Sequence, residues 1–98
     1  MKIFKTTIEG RNCWANFDGQ PGRVGFFTTR VVSGIDETLA KEIILRELAE
    51  ELRSRLLNDR FDPPEIIVNE VIEIDQSEAS TIANAGFTWY REDTPHPN

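Results

Sequence analysis

Cysteine and histidine occur once each in this 98-residue chain, and methionine only at position 1. A lone Cys13 excludes an intrachain disulfide, a C-x-x-C redox pair and a cysteine-based zinc cluster. His96 sits between Pro95 and Pro97 near the C-terminus. A general base has to be held in place, and a proline-flanked tail does not hold one. Long apolar runs are also missing: nothing approaches the roughly 18–20 residues that span a bilayer as a helix. Met1-Lys2-Ile3-Phe4-Lys5 has basic residues but no apolar signal region, so a cytoplasmic protein without membrane association is expected. The six glycines, at 10, 19, 22, 25, 34 and 86, make neither G-x-G-x-x-G nor G-x-x-x-x-G-K spacing, so no phosphate-binding loop is expected.

Cations are scarce in the last third. Residues 61–98 hold one Arg against eight Asp/Glu, a net of −7, whereas residues 1–60 hold ten Lys/Arg against nine Asp/Glu. The overall −6 argues against nucleic acid or anionic lipid as partner, since both reward cationic surface. It suits a basic protein, and it also keeps a small domain in solution.

What is present is a two-period pattern. Residues 2–17 are extended: Phe4, Thr6 and Ile8 share a face, and after Glu9-Gly10-Arg11-Asn12 the alternation resumes with Cys13, Ala15 and Phe17. Gly10 marks either a bulge in one bent strand or a turn between two short ones. The bulge is preferred because one extra residue puts both apolar sets on the same face. Asp18-Gly19-Gln20-Pro21-Gly22 is a turn. Arg23 to Ser33 is a strand with Val24, Phe26, Thr28, Arg30 and Val32 on one face and Phe27, Thr29 and Val31 on the other.

The period then changes to 3.6. Asp36 to Asn58 reads as one amphipathic helix of about six turns, with Asp36 as N-cap and Leu39, Ile43, Ile44, Leu48, Leu52 and Leu56 as its apolar stripe. Glu37–Lys41, Glu42–Arg46, Arg46–Glu50 and Glu51–Arg55 fall at ion-pair spacing. Pro63-Pro64 stops the helix. Glu65 to Asp75 is a strand in which Ile66, Val68, Ile72 and Ile74 alternate with Ile67, Asn69, Val71 and Glu73. Gln76 to Ala85 allows a helical turn at 77–82, Gly86 to Glu92 gives a short strand, and residues 93–98 form a disordered tail.

These elements specify one α+β domain over residues 1–92: an antiparallel sheet of about four strands in β-β-α-β-β order, with one long helix on one face. A single helix leaves sheet surface uncovered. Trp14, Phe27, Ile67, Val71 and Tyr90 lie on faces it is not expected to reach, which points to a homodimer or a partner protein there. Folding back of Gln76–Ala85 over that surface is the alternative.

No catalytic set, metal site or cofactor is expected. Cys13 lacks a neighbouring base, Glu47 and Glu51 lack the histidine of an E-x-x-H pair, and Asp59, Asp62 and Glu65 lack the ligand spacing of a calcium loop. Gly25-Phe26-Phe27 has the glycine and aromatics of an RNA-binding strand, but it precedes the helix and the charge is wrong. The leading expectation is a non-enzymatic protein–protein interaction domain, in a sharper version immunity- or inhibitor-like, with Glu65, Glu70, Glu73, Asp75 and Glu78 meeting a basic partner. The alternative is a small-ligand or regulatory domain with a pocket or dimer face lined by Trp14, Trp89 and Tyr90 and anchored by Arg30.

Overall fold

The computed structural model describes residues 1–17, 19–82 and 86–92. The chain runs β1 (Lys2–Phe17), β2 (Gln20–Gly34), α1 (Glu37–Leu52), β3 (Glu65–Ile74), α2 (Gln76–Thr81) and β4 (Thr88–Arg91). The four strands form one antiparallel sheet in the order β3-β1-β2-β4, so the α+β class and the antiparallel sheet are as the periodicity predicts. β1 and β2 make the central hairpin, with Phe17 opposite Gln20 and Gly19 at φ 79°, where a side chain would be strained. The connection through α1 carries the chain past β1 to its far side, which makes β3 and β4 the two edges.

β1 is one continuous strand with a register shift between Gly10 and Cys13. The bulge reading holds, and its strained residue is Asn12 at φ 54°. Asparagine tolerates this left-handed conformation better than most residues. Gly10 has a different role. A Cβ there would overlap the ring of Phe26, its partner on β2, so glycine is what lets the ring lie flat across β1. Gly25 does the same for Tyr90 across the β2–β4 pair.

α1 begins where expected: the Leu39 N–H donates to Asp36 Oδ1 at 2.8 Å. Ala40, Ile44, Leu48 and Leu52 are buried, one residue every fourth position, against Phe4, Ile8, Cys13, Val24 and Phe26 of the central hairpin. The helix does not reach Asn58, and at 16 residues it is shorter than the periodicity suggests. After Leu52 the turn tightens, with Arg55 and Leu56 N–H groups both donating to the Leu52 carbonyl at 2.9 and 3.0 Å. The chain then leaves the helix axis because Leu57 and Asn58 find better partners on β1, described below. Two solvent-side expectations change with it. Glu51 pairs with Arg30 of β2 instead of Arg55, and Glu50 pairs with Arg53.

β3 carries the second correction. A shift between Thr7 and Ile8 of β1 leaves Asn69 without an opposite residue, since Thr7 faces Glu70 and Ile8 faces Val68. This extra residue exchanges the faces beyond it. Ile66, Val68 and Val71 pack toward α1, while Ile72 and Ile74 turn to the opposite face with Ile67 and Glu70. Val71, expected on uncovered surface, therefore belongs to the core side. α2 is capped by Asp75, whose carboxylate accepts from the Glu78 N–H at 2.8 Å, and none of its residues is buried. Asp18, residues 83–85 and residues 93–98, with His96 and the expected tail, lie outside the described residues.

Candidate functional site

The side of the sheet that α1 leaves open is built by alternation. Opposite partners across an antiparallel pair share a face, so register alone lays it out. At one end Ile74 and Ile72 of β3 lie beside Ile3 and Lys5 of β1, with Val31 of β2 next to Lys5. Glu70, Thr7 and Thr29 cross the middle. At the other end stand Ile67, Glu9, Phe27 and Thr88, then Glu65, Arg11 and Tyr90. Phe27 is 45% exposed and Ile72 41%. Apolar residues are thus interleaved with charge instead of forming one oily patch. Arg11 Nε donates to Glu9 Oε2 at 2.7 Å, which holds the Glu9 carboxyl below its ordinary range. Phe27 stacks on Tyr90 with ring centroids 5.5 Å apart. Partial burial raises the Tyr90 phenol, and the nearby Glu9 and Glu92 charges add to that.

The five acidic residues of the expected interaction surface are all exposed and follow one another along the β3 edge and into α2. Glu65 and Glu70 belong to the open face. Glu73 lies opposite Phe4 on the α1 side, with Lys2 4.0 Å away. Asp75 is the α2 cap, its carboxyl held low by the Glu78 N–H and by Ser77, and Glu78 follows in the first turn. From Phe61 to Ile82 there is no Lys or Arg.

Trp14, Arg30, Trp89 and Tyr90 do not share one cavity. Tyr90 is on the open face, whereas Trp89 lies edge-on to Phe26, 5.3 Å between centroids, on the α1 side. Arg30 is also on the α1 side, where it donates to both carboxylate oxygens of Glu51 at 2.9 and 3.2 Å and to Thr28 Oγ1 at 3.0 Å. Glu51 is held low chiefly by those bonds. Trp14, 37% exposed, faces away from Cys13 and Ala15 and lines a shallow cleft with Leu57, Asn58, Asp59 and Asp62.

Asn58 was legible only as a helix end, yet it completes the sheet. β3 begins opposite Arg11, so the last third of β1 has no strand on that side. The Asn58 carboxamide stands in for one. Its Oδ1 accepts from the Trp14 N–H at 2.7 Å, and its Nδ2 donates to the carbonyls of Asn12 and Asp62, each at 2.8 Å. The Leu57 N–H donates to the Trp14 carbonyl at 2.6 Å. Glu92, the residue after β4, closes the bulge, accepting from the Asn12 N–H at 3.0 and 3.1 Å. These bonds satisfy backbone groups that would otherwise lie bare along an edge.

Cys13 is fully buried and its thiol is pushed up to about 11, first by burial and then by the Glu92 charge. That is the opposite of what a nucleophile needs. Among the described residues no group of three or more His, Cys, Asp or Glu side chains is placed to hold a metal ion, and no helix is long and apolar enough to cross a membrane. Comparison with known proteins yields no match: no family model, no curated protein and no solved structure is significantly similar to this chain.

Proposed function

We propose that this protein is a non-enzymatic protein–protein interaction domain whose working surface is the β3 edge and the open face beside it, and whose partner is basic. The observation that carries the reading is the charge of that edge: Glu65, Glu70, Glu73, Asp75 and Glu78 are exposed in sequence, and no Lys or Arg occurs from Phe61 to Ile82. An outer strand also offers unpaired backbone donors and acceptors, which an incoming extended segment can use. Opposite charge would speed encounter and make the contact sensitive to salt. The test is affinity capture at ionic strengths of about 0.02 M and about 0.5 M, where screening lengths differ several-fold. A basic partner held by the native protein at low salt, released at high salt and not held by a Glu65→Lys/Glu70→Lys double variant supports the reading. Recovery of the same proteins by both forms sinks it.

A homodimer is the second reading, favoured by the exposure of Phe27 and Ile72 on the open face. It would use that face and not the β3 edge. Antiparallel self-pairing of β3 centred on Glu70 places Glu70 against itself, and neighbouring registers set Glu65 against Glu70 or Glu73. Like charges directly opposite destabilise such pairs. Light scattering that returns the monomer mass at high protein concentration would remove this second reading.

A further inference from the structure

The sheet outruns the helix. α1 stops at Leu52, while β1 continues past Cys13 to Ala15 on the same face. Ala15 lies opposite Gly22, so two small residues leave that end of the α1 side thinly filled. The result is a cleft of about 360 Å³, lined by Ala15, Asn16, Ser54, Arg55, Leu57 and Trp89. Its size is at the low end for small-molecule sites, which run from about 300 to 1,000 Å³. It is separate from the β3 edge, being formed by β1, β4 and the turn after α1.

The chemistry of the lining is selective. Trp89 and Leu57 supply apolar walls. Among the described residues, Asn16, Ser54 and Arg55 make no side-chain hydrogen bond, and the Arg55 charge acts on Glu51 without a direct contact. The reason for Arg55 is visible. Glu51, four residues earlier, would be its natural partner, but both oxygens of Glu51 are held by Arg30. Arg55 instead rests over the Phe87 ring, 5.5 Å from its centroid, and Arg30 lies over the same ring at 5.0 Å. Two guanidiniums thus share one carboxylate, and the one that makes no hydrogen bond to it, Arg55, lines the cleft. A guanidinium parked on an aromatic face keeps its planar fork ready for an anion.

We propose that this cleft binds a small anion carried on a single flat ring, with a carboxylate or phosphate taken by Arg55, Ser54 and Asn16 and the ring against Trp89. Planar two-point recognition by arginine suits either anion. The proposal does not rest on the interaction reading above, because it concerns other residues at another end of the sheet.

The experiment is a titration of the isotopically labelled full chain with benzoate, phenyl phosphate or benzamide, each to about 20 mM, read by amide and indole chemical shifts. Saturable shifts confined to the Trp89 indole and to residues 15–16 and 54–57, given by benzoate or phenyl phosphate and not by neutral benzamide, are expected. Whichever anion binds tighter identifies the headgroup. Arg55→Gln is expected to weaken binding about tenfold or more, while Arg60→Gln, whose guanidinium lies over Phe61, leaves it unchanged. Arg55 is exposed, so its loss is not expected to unfold the domain. Equal binding of benzamide, or no shift with any of the three, overturns the proposal without needing a variant. Unaltered affinity in Arg55→Gln overturns the role of the guanidinium.

Discussion

Phe26 and Phe27 are neighbours in the chain and opposites in the fold. Phe26 is fully buried under α1, lying across Gly10 with Phe87 and Trp89 edge-on at 4.9 and 5.3 Å. Phe27 stands on the open face, stacked on Tyr90 and in water on its other side. One backbone step separates a residue that holds the molecule together from one available to something else. The two sides of the same strands therefore differ in kind: the side under α1 holds the buried core, Phe4, Ile8, Cys13, Val24 and Phe26, and the open side alternates Ile3, Ile72, Phe27 and Tyr90 with Lys5, Glu9, Arg11 and Glu70.

The sharpest way to break this contrast is to truncate each ring. Phe26→Ala should cost about 3–5 kcal/mol in urea unfolding, from lost burial and the cavity left behind. Phe27→Ala should cost about 1 kcal/mol, roughly the worth of one aromatic stack. Comparable losses at the two sites would mean that the open face is covered after all.

Asn58→Ala comes next. It leaves the Trp14 N–H and the Asn12 carbonyl without their partner, and a loss of about 1–3 kcal/mol is expected for such groups. Faster hydrogen exchange at the Trp14 amide, with the β1–β2 amides unchanged, would locate the loss on that edge. An Asn58→Asp variant that fully retains stability would remove the claim that the carboxamide donates as well as accepts.

Titration sharpens the comparison from the covered side. The Cys13 thiol rises from 9.0 to about 11 in the folded protein. A group raised on folding stabilises fully below its unfolded pKa, so this contribution is present below pH 9 and is lost as pH climbs through 11. Tyr90, also raised, acts in the same direction. Stability should therefore fall between about pH 9 and pH 11, and Cys13→Ala should flatten that fall without touching the acid side. On the acid side Glu51 and Asp75 are held low, so their contributions are lost as pH drops below the ordinary carboxylate range. The thiol should also resist alkylation until the protein unfolds.

Local patterns were legible wherever a residue's neighbours in sequence are its neighbours in space. The Asp36 cap, the alternation of β2, the bulge after Gly10 and the aromatic strand Thr88–Arg91 all follow from spacing of that kind. The faces of β3 did not, because Asn69 is an ordinary residue whose role as a bulge is set by where β1 lies beside it. The end of α1 did not either. Residues 53 to 58 keep helical spacing, but backbone bonding to Trp14 draws them off the axis. The acidic edge was readable as a charge run, whereas the cleft at Arg55 depends on Glu51 choosing Arg30 across the sheet.

By itself, then, the sequence determined an α+β domain with an antiparallel sheet, a helix with one buried row and an acidic last third, while α2 between β3 and β4 is an addition to the expected β-β-α-β-β order. Period and charge are properties of consecutive residues. Only the tertiary structure decided that β3 pairs with β1, that Val71 turns inward and Ile72 outward, that Asn58 finishes the sheet, and that the hydrogen bonds of Glu51 go to Arg30 and not to Arg55. Each of these depends on a partner between about 20 and 70 residues away along the chain, and hydrogen bonds and ion pairs are made to whatever packing brings within reach.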